Sequence, residues 1–181
     1  MLDPNRQYLF LRWPQYLAQW YAYEQHAIRY ASREYKPEYV YRTDVPAYEL
    51  EPVETLRGSV ERNILHLNLT KQPNDTPDIP SDDTTICIQL PVFADKRPDY
   101  YNYLPAPAVA LLEETVRNRV KLDAFRYIQK IYDGSGHALK LDDVIVAYME
   151  RHGIENNETN LATIRQIYYR CKDVYRKHNK E

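Results

Sequence analysis

The chain has 181 residues and a mass of 21.6 kDa, the size of a single domain, with or without a small appendage. It is 44% hydrophobic and 28% charged, which supports a packed core and argues against wholesale disorder. Its 24 Lys+Arg against 26 Asp+Glu leave a formal charge of −2, which excludes a globally basic protein of the histone type.

Trp13 to Tyr35 reads as the first long helix. Pro14 suits its first turn, where a missing N–H costs nothing, and Pro37 stops it. Trp13, Leu17, Trp20, Ala27, Ile28 and Ala31 recur near helical spacing. Tyr16, Tyr23 and Tyr30 widen that stripe into an aromatic core face.

Two segments with a period of two follow. Ser59 to Leu69 alternates Leu65, Leu67 and Leu69 with His66 and Asn68, and Thr84 to Phe93 alternates Ile86, Ile88, Leu90 and Val92 with Cys87 and Gln89. Both read as half-buried strands, paired most simply as an antiparallel hairpin. Pro91 has no N–H for a ladder, so the second strand lies at an edge or ends there. An isolated two-stranded hairpin is marginal in water, so Ile86, Ile88 and Leu90 are expected on the aromatic stripe of Trp13, Leu17 and Trp20. The connection from Lys71 to Asp83 holds Pro73, Pro77 and Pro80 with Asp75, Asp78, Asp82 and Asp83. That composition favours a mobile solvated loop over a cation site.

Asp95 to Pro107 reads as a linker, with Pro98, Pro105 and Pro107 and with Tyr100, Tyr101 and Tyr103 between them. Residues 1–107 form an α+β part, and residues 108–181 a helical part. Charge follows that division mildly, −4 over residues 1–110 and +2 over 111–181. Ala108 to Tyr132 carries Val109, Leu112, Val116, Val120, Phe125, Ile128 and Ile131 at helical intervals, with a break expected near Leu122. Asp133-Gly-Ser-Gly136 ends it. The next helix, Val144 to His152, is capped by Asp142 or Asp143 and terminated by left-handed Gly153. The last runs from about Leu161 to Lys177 after an N-cap at Thr159 or Asn160. Its core face is Leu161, Ile164, Ile167, Tyr168, Cys171 and Tyr175. The fold class is therefore α+β: an aromatic N-terminal helix on a β-hairpin, followed by a helical half.

Chemistry-bearing motifs are few. Four Gly, with no GxGxxG and no GxxxxGK[ST], argue against phosphate-cradling loops. Asp133, Ser135 and His137 bring three catalytic residue types together, but a triad needs a geometry that one short turn rarely allows. With Gly136 as the invariant glycine of an EF-hand loop, Asp133 and Ser135 fall at ligand positions. However, Ile131 then takes the first ligand position and Asp142 replaces the bidentate glutamate, so calcium binding is not expected. Five His (His26, His66, His137, His152, His178) and two Cys show no CxxC, HExxH or HxH spacing, and His26 and His66 read as half-exposed. No catalytic residue, cofactor or metal is assigned.

Cys87 and Cys171 alone exclude a disulfide scaffold and fit a reducing, cytoplasmic compartment. No apolar run approaches the ~18 residues of a membrane span. Met1 to Trp13 lacks the apolar stretch of a secretory signal, so no membrane contact is expected.

Leu141 to Lys180 carries the one suggestive pattern: a helix, Gly153-Ile154, a polar turn, then a helix with amide and basic residues outward. It resembles a helix-turn-helix, in which glycine follows the first helix and an apolar residue plugs the turn. Glu155 to Asn160 is longer than the compact motif's turn, and Glu155 and Glu158 oppose phosphate. Asn160 to Glu181 holds six basic and two acidic residues. With Asn160 and Thr163 also outward, Arg165, Gln166, Tyr169 and Arg170 are expected on or near a groove, and Arg176 and Lys177 on phosphates. The resemblance implies a non-enzymatic DNA-binding or regulatory accessory protein with duplex DNA as partner. The 18 Tyr support an alternative. In it, a structural or assembly protein uses a Tyr-rich surface for protein contacts, with a protein partner or with its own copies.

Overall fold

The computed structural model describes residues 2–29, 41–73 and 79–178. Expectations at Tyr30, Ala31, Tyr35, Pro37, Asp75, Pro77 and Asp78 lie outside these residues. The protein is mixed α+β. In chain order it runs β1 (Tyr8–Leu11), α1 (Gln15–Arg29), β2 (Val53–Glu54), α2 (Val60–Asn68), β3 (Ile86–Gln89), α3 (Ala106–Ile128), α4 (Leu141–Arg151) and α5 (Glu158–His178). No helix among the described residues is long and apolar enough to cross a membrane.

The expected hairpin is not formed. Residues 60–68 are a helix, and β3 finds other partners. It is the middle strand of a three-stranded mixed sheet, antiparallel to β1 with Leu9 opposite Ile88, and parallel to β2 with Val53 opposite Ile88. Ile86, Cys87 and Ile88 are all fully buried, because a central strand covered on both faces has no solvent side to alternate with. The strand stops at Gln89, before Pro91, as a residue without an N–H requires. Thr85 ties the sheet to α1: its hydroxyl accepts from the Trp13 N–H at 2.7 Å and donates to the Trp13 carbonyl at 2.7 Å.

The physical reason for α2 lies in its ends and in its other stripe. Gly58 takes φ +78° to turn the chain out of β2. Ser59 then caps the helix, its Oγ accepting from the Arg62 N–H at 3.1 Å. Glu61, Ile64 and Leu65 are buried along one helical face and Leu69 follows in the cap, while Leu67 is 76% exposed. Glu61 is only 1% exposed and is neutralised by Arg119 of α3, whose guanidinium also lies over Trp20 at 5.4 Å.

The aromatic helix α1 starts directly after Pro14, whose carbonyl accepts from Leu17 and Ala18 N–H. Tyr16 to Ala22 are buried on every side rather than along one stripe, the pattern of a helix central to its core. Ile28 is exposed instead of inward. The 95–107 segment is strapped down rather than free. Lys96 Nζ donates to the carbonyls of His66, Leu67 and Leu69 at 2.6, 3.3 and 3.0 Å, capping the C-terminal end of α2. Thr70 and Tyr103 form a bridge beside it. In the Lys71–Asp83 connection, described in part, Asp83 pairs with Arg12 at 3.1 Å.

Helix α3 runs unbroken past Leu122 and packs on α1, α2, α4 and α5. Buried residues from the sheet and all five helices form one continuous core.

Candidate functional site

The C-terminal unit is α3, a π-helical turn over Gln129–Asp133, α4 and α5. Leu112, Val116, Val120 and Ile128 of α3 are buried with Val144, Ile145, Tyr148 and Met149 of α4 and Ile164, Ile167 and Tyr168 of α5. The polar termini depart from expectation. Lys140 occupies the N-cap of α4 without a side-chain bond, and Asp142 and Asp143 lie inside the first turn. Asn157 caps α5, its Oδ1 accepting from the Asn160 N–H at 2.9 Å, so the helix starts earlier than Thr159. Asn160 is buried, and its Nδ2 donates to the Glu155 carbonyl at 2.9 Å. An amide beside a turn satisfies the loop backbone as readily as it reads a base.

Gly153 takes φ +63° as expected, and a Cβ there would lie 2.7 Å from Tyr23 Cδ2 of α1. Beside it, His152 Nδ1 is 3.0 Å from Glu24 and Nε2 is 3.4 Å from Asp123. The Tyr148 hydroxyl donates to Asp123 at 3.1 Å. Burial, reinforced by the Asp123 charge, pushes the Tyr148 phenol well up. Gln19 accepts from the Glu155 N–H at 3.0 Å. The turn between α4 and α5 is thus moulded onto α1.

Asp133 joins the π-turn to α5. Its Oδ1 accepts from Lys172 Nζ at 2.8 Å, from the Tyr168 hydroxyl at 3.0 Å, and lies 3.0 Å from His137 Nε2. Burial pushes the Asp133 carboxyl up, but the bonds from Lys172, His137 and Tyr168 outweigh it and hold the group below its ordinary value. Ser135 turns away from His137 and donates to the Tyr132 carbonyl at 2.9 Å, so the three residues do not align as nucleophile, base and orienting acid. Among the described residues no group of three His, Cys, Asp or Glu is arranged to hold a metal ion. His26 is buried rather than half-exposed, and burial pushes the Cys87 thiol up to about 12.

On α5, Gln166, Tyr169, Arg170, Arg176 and Lys177 are exposed on the outside of the unit. Arg170, Arg176 and Lys177 have no ion-pair partner among the described residues. Arg165 differs: Nε and Nη2 both donate to Asp142 Oδ1, at 3.0 and 2.7 Å, so its charge is shared with α4. Tyr175, expected in the core, is 51% exposed, with its ring 5.9 Å from Phe125. Val174 and Tyr169 of the same helix are 55% and 51% exposed.

A second concave feature has no counterpart in the sequence reading. A cleft at the carboxyl ends of β2 and β3 is lined by Arg6, Arg57, Arg62 and Arg97. These residues are too scattered along the chain to form a motif, and no periodicity links them. The chain matches no family model, no curated protein and no solved structure.

Proposed function

We propose that the protein is a non-enzymatic DNA-binding or regulatory accessory protein that uses α4 and α5 as a helix-turn-helix-like unit. One observation carries the reading: Arg170, Arg176 and Lys177 are exposed on α5 without ion-pair partners among the described residues. Gln166 and Tyr169 share that exposed surface. Amide, aromatic and guanidinium groups suit base edges and phosphates. The Arg165–Asp142 pair makes Arg165 an orienting group between the helices in this reading, with duplex contact left to the residues beyond it. The test is titration of the full chain with nonspecific duplex DNA as salt is varied. Steep salt dependence that flattens in R170A/R176A supports the reading; no binding at low salt removes it.

A second reading rests on a different observation. Tyr169, Val174 and Tyr175 are exposed together with Arg170 and Arg176 toward the end of α5, and Tyr and Arg are the residue types enriched in protein interfaces. Under this reading the protein assembles with a partner or with its own copies. Concentration-dependent self-association without duplex binding supports the assembly reading over the first.

A further inference from the structure

The cleft at the carboxyl ends of β2 and β3 has a volume of about 850 Å³, within the size range of small-molecule sites. Its four arginines come from three separate segments. Arg6 precedes β1 and bridges Asp3 at 3.3 Å and Glu54 at 3.6 Å. Arg62 of α2 is held in place: Nη1 donates to the Thr55 carbonyl at 3.2 Å, and the guanidinium lies over Phe93 at 5.3 Å. Arg57 and Arg97 are exposed, and among the described residues their side chains have no hydrogen-bond or ion-pair partner.

The backbone around both of these residues is fixed. Arg57 precedes Gly58, which holds its positive φ, and the Ser59 cap. Arg97 follows Lys96, which is tied to the end of α2, and its own carbonyl accepts from the Tyr100 and Tyr101 N–H groups. Among the described residues two carboxylates line the cleft, Glu54 and Asp99, and Glu54 is already bridged to Arg6. The cleft therefore carries surplus positive charge. Thr55, 6% exposed, lines it too, and its hydroxyl has no hydrogen-bond partner among the described residues.

Arg6 and Arg62 have structural partners, but the spare guanidinium donors of Arg57 and Arg97 beside them are complementary to an anion. The planar fork of arginine suits bidentate binding of phosphate or carboxylate oxygens. The volume is far larger than a bare anion needs. Beside the polar Asn5, Gln7 and Gln89, the lining has an apolar part made by Leu56, Leu90, Pro91, Pro98 and the exposed Val92.

We propose that this cleft binds a small organic phosphate of nucleoside-monophosphate size. Arg57 and Arg97 grip the phosphate, Arg62 supplies an oriented charge at its side, and the organic part lies on Leu56, Leu90 and Val92. The site is separate from α5 and independent of the reading given to that helix.

The test is calorimetric titration of the full chain with AMP, inorganic phosphate and adenosine at up to millimolar concentration. AMP is expected to bind about tenfold or more tighter than either adenosine or inorganic phosphate. R57A/R97A is expected to lose about tenfold or more in AMP affinity while melting at the wild-type temperature, because both side chains are exposed and unpaired. R57K/R97K, which keeps the charge and loses the fork, is expected to fall between the two. R170A/R176A is expected to bind AMP as wild type does. The proposal is overturned by an absence of AMP binding, by equal affinity for AMP and inorganic phosphate, or by wild-type AMP affinity in R57A/R97A. Loss of duplex binding in R57A/R97A with no AMP binding in the wild type overturns it in favour of a nucleic-acid backbone site.

Discussion

Lys172 Nζ lies 2.8 Å from Asp133 Oδ1, and the same ammonium lies 2.7 Å from the Tyr168 hydroxyl. The π-turn at the end of α3 and the middle of α5 are thereby locked by one carboxylate with three donors. Asp133→Ala removes the acceptor and leaves Lys172, which is largely buried, without its counter-ion. The expected cost is about 1–3 kcal/mol in chemical denaturation. A loss within the surface range of about 0.5 kcal/mol shows that water replaces the carboxylate without penalty.

The same carboxylate sets an acid limit. Its folded-state value is held below the unfolded one, so the unfolded chain binds more protons between the two values. The Asp133 contribution is then complete above the ordinary carboxylate value of about 3.9, and is lost as pH falls below it. Asp133→Asn is expected to flatten this acid-side decline, with little change in the slope between pH ~5 and ~7. Denaturation midpoints of the two proteins from pH ~2 to pH ~7 check it.

Helix α2 is tested against the strand reading by two leucines. In a strand, Leu65 and Leu67 share a face; in the helix, Leu65 is fully buried and Leu67 is 76% exposed. Leu65→Ala is expected to cost about 2–5 kcal/mol and Leu67→Ala less than about 0.5 kcal/mol. Comparable losses at both positions contradict the helix. Ser59→Ala is expected to add a cost of about 1 kcal/mol for the lost cap.

Gly153 combines a left-handed backbone with close approach of Tyr23. Gly153→Ala meets both strain and a clash with an aromatic ring packed on His152. A loss of about 1–3 kcal/mol is expected in thermal or chemical unfolding. A neutral result means the turn between α4 and α5 relaxes away from α1.

On α5, each phosphate contact removed from a bound duplex is expected to lower the magnitude of the log–log salt slope by about 0.9. R170A/R176A, whose side chains are exposed, leaves the melting temperature unchanged under this reading. Absence of binding at ~50 mM salt, where phosphate contacts are strong, leaves the Tyr-rich contact surface as the better account.

The sequence by itself determined the elements whose signals are local. The 3.6-residue spacing of Leu112, Val116 and Val120, the glycine after α4, and the apolar stripe of Ile164, Ile167 and Tyr168 all read correctly. A helix long enough to show several turns has one dominant period. It also gave the mixed α+β class. Tertiary structure alone decided what local periodicity leaves ambiguous. Leu65, Leu67 and Leu69 satisfy a period of two, yet Glu61, Ile64 and Leu65 also satisfy a helical stripe. Glu61 is an acceptable core residue only because Arg119, 58 positions away, arrives to neutralise it. β1 and β2 escaped notice because Tyr8–Leu11 is apolar or aromatic at every position and shows no alternation, and two-residue β2 is too short to show a period; both pair with β3. Asn160 and Arg165 looked like free outward groups, but their partners, the Glu155 carbonyl and Asp142, are fixed by how the turn and α4 pack. The arginine cleft was invisible for the same reason: nothing along the chain connects Arg57 with Arg97 until the sheet and α2 bring them to one hollow.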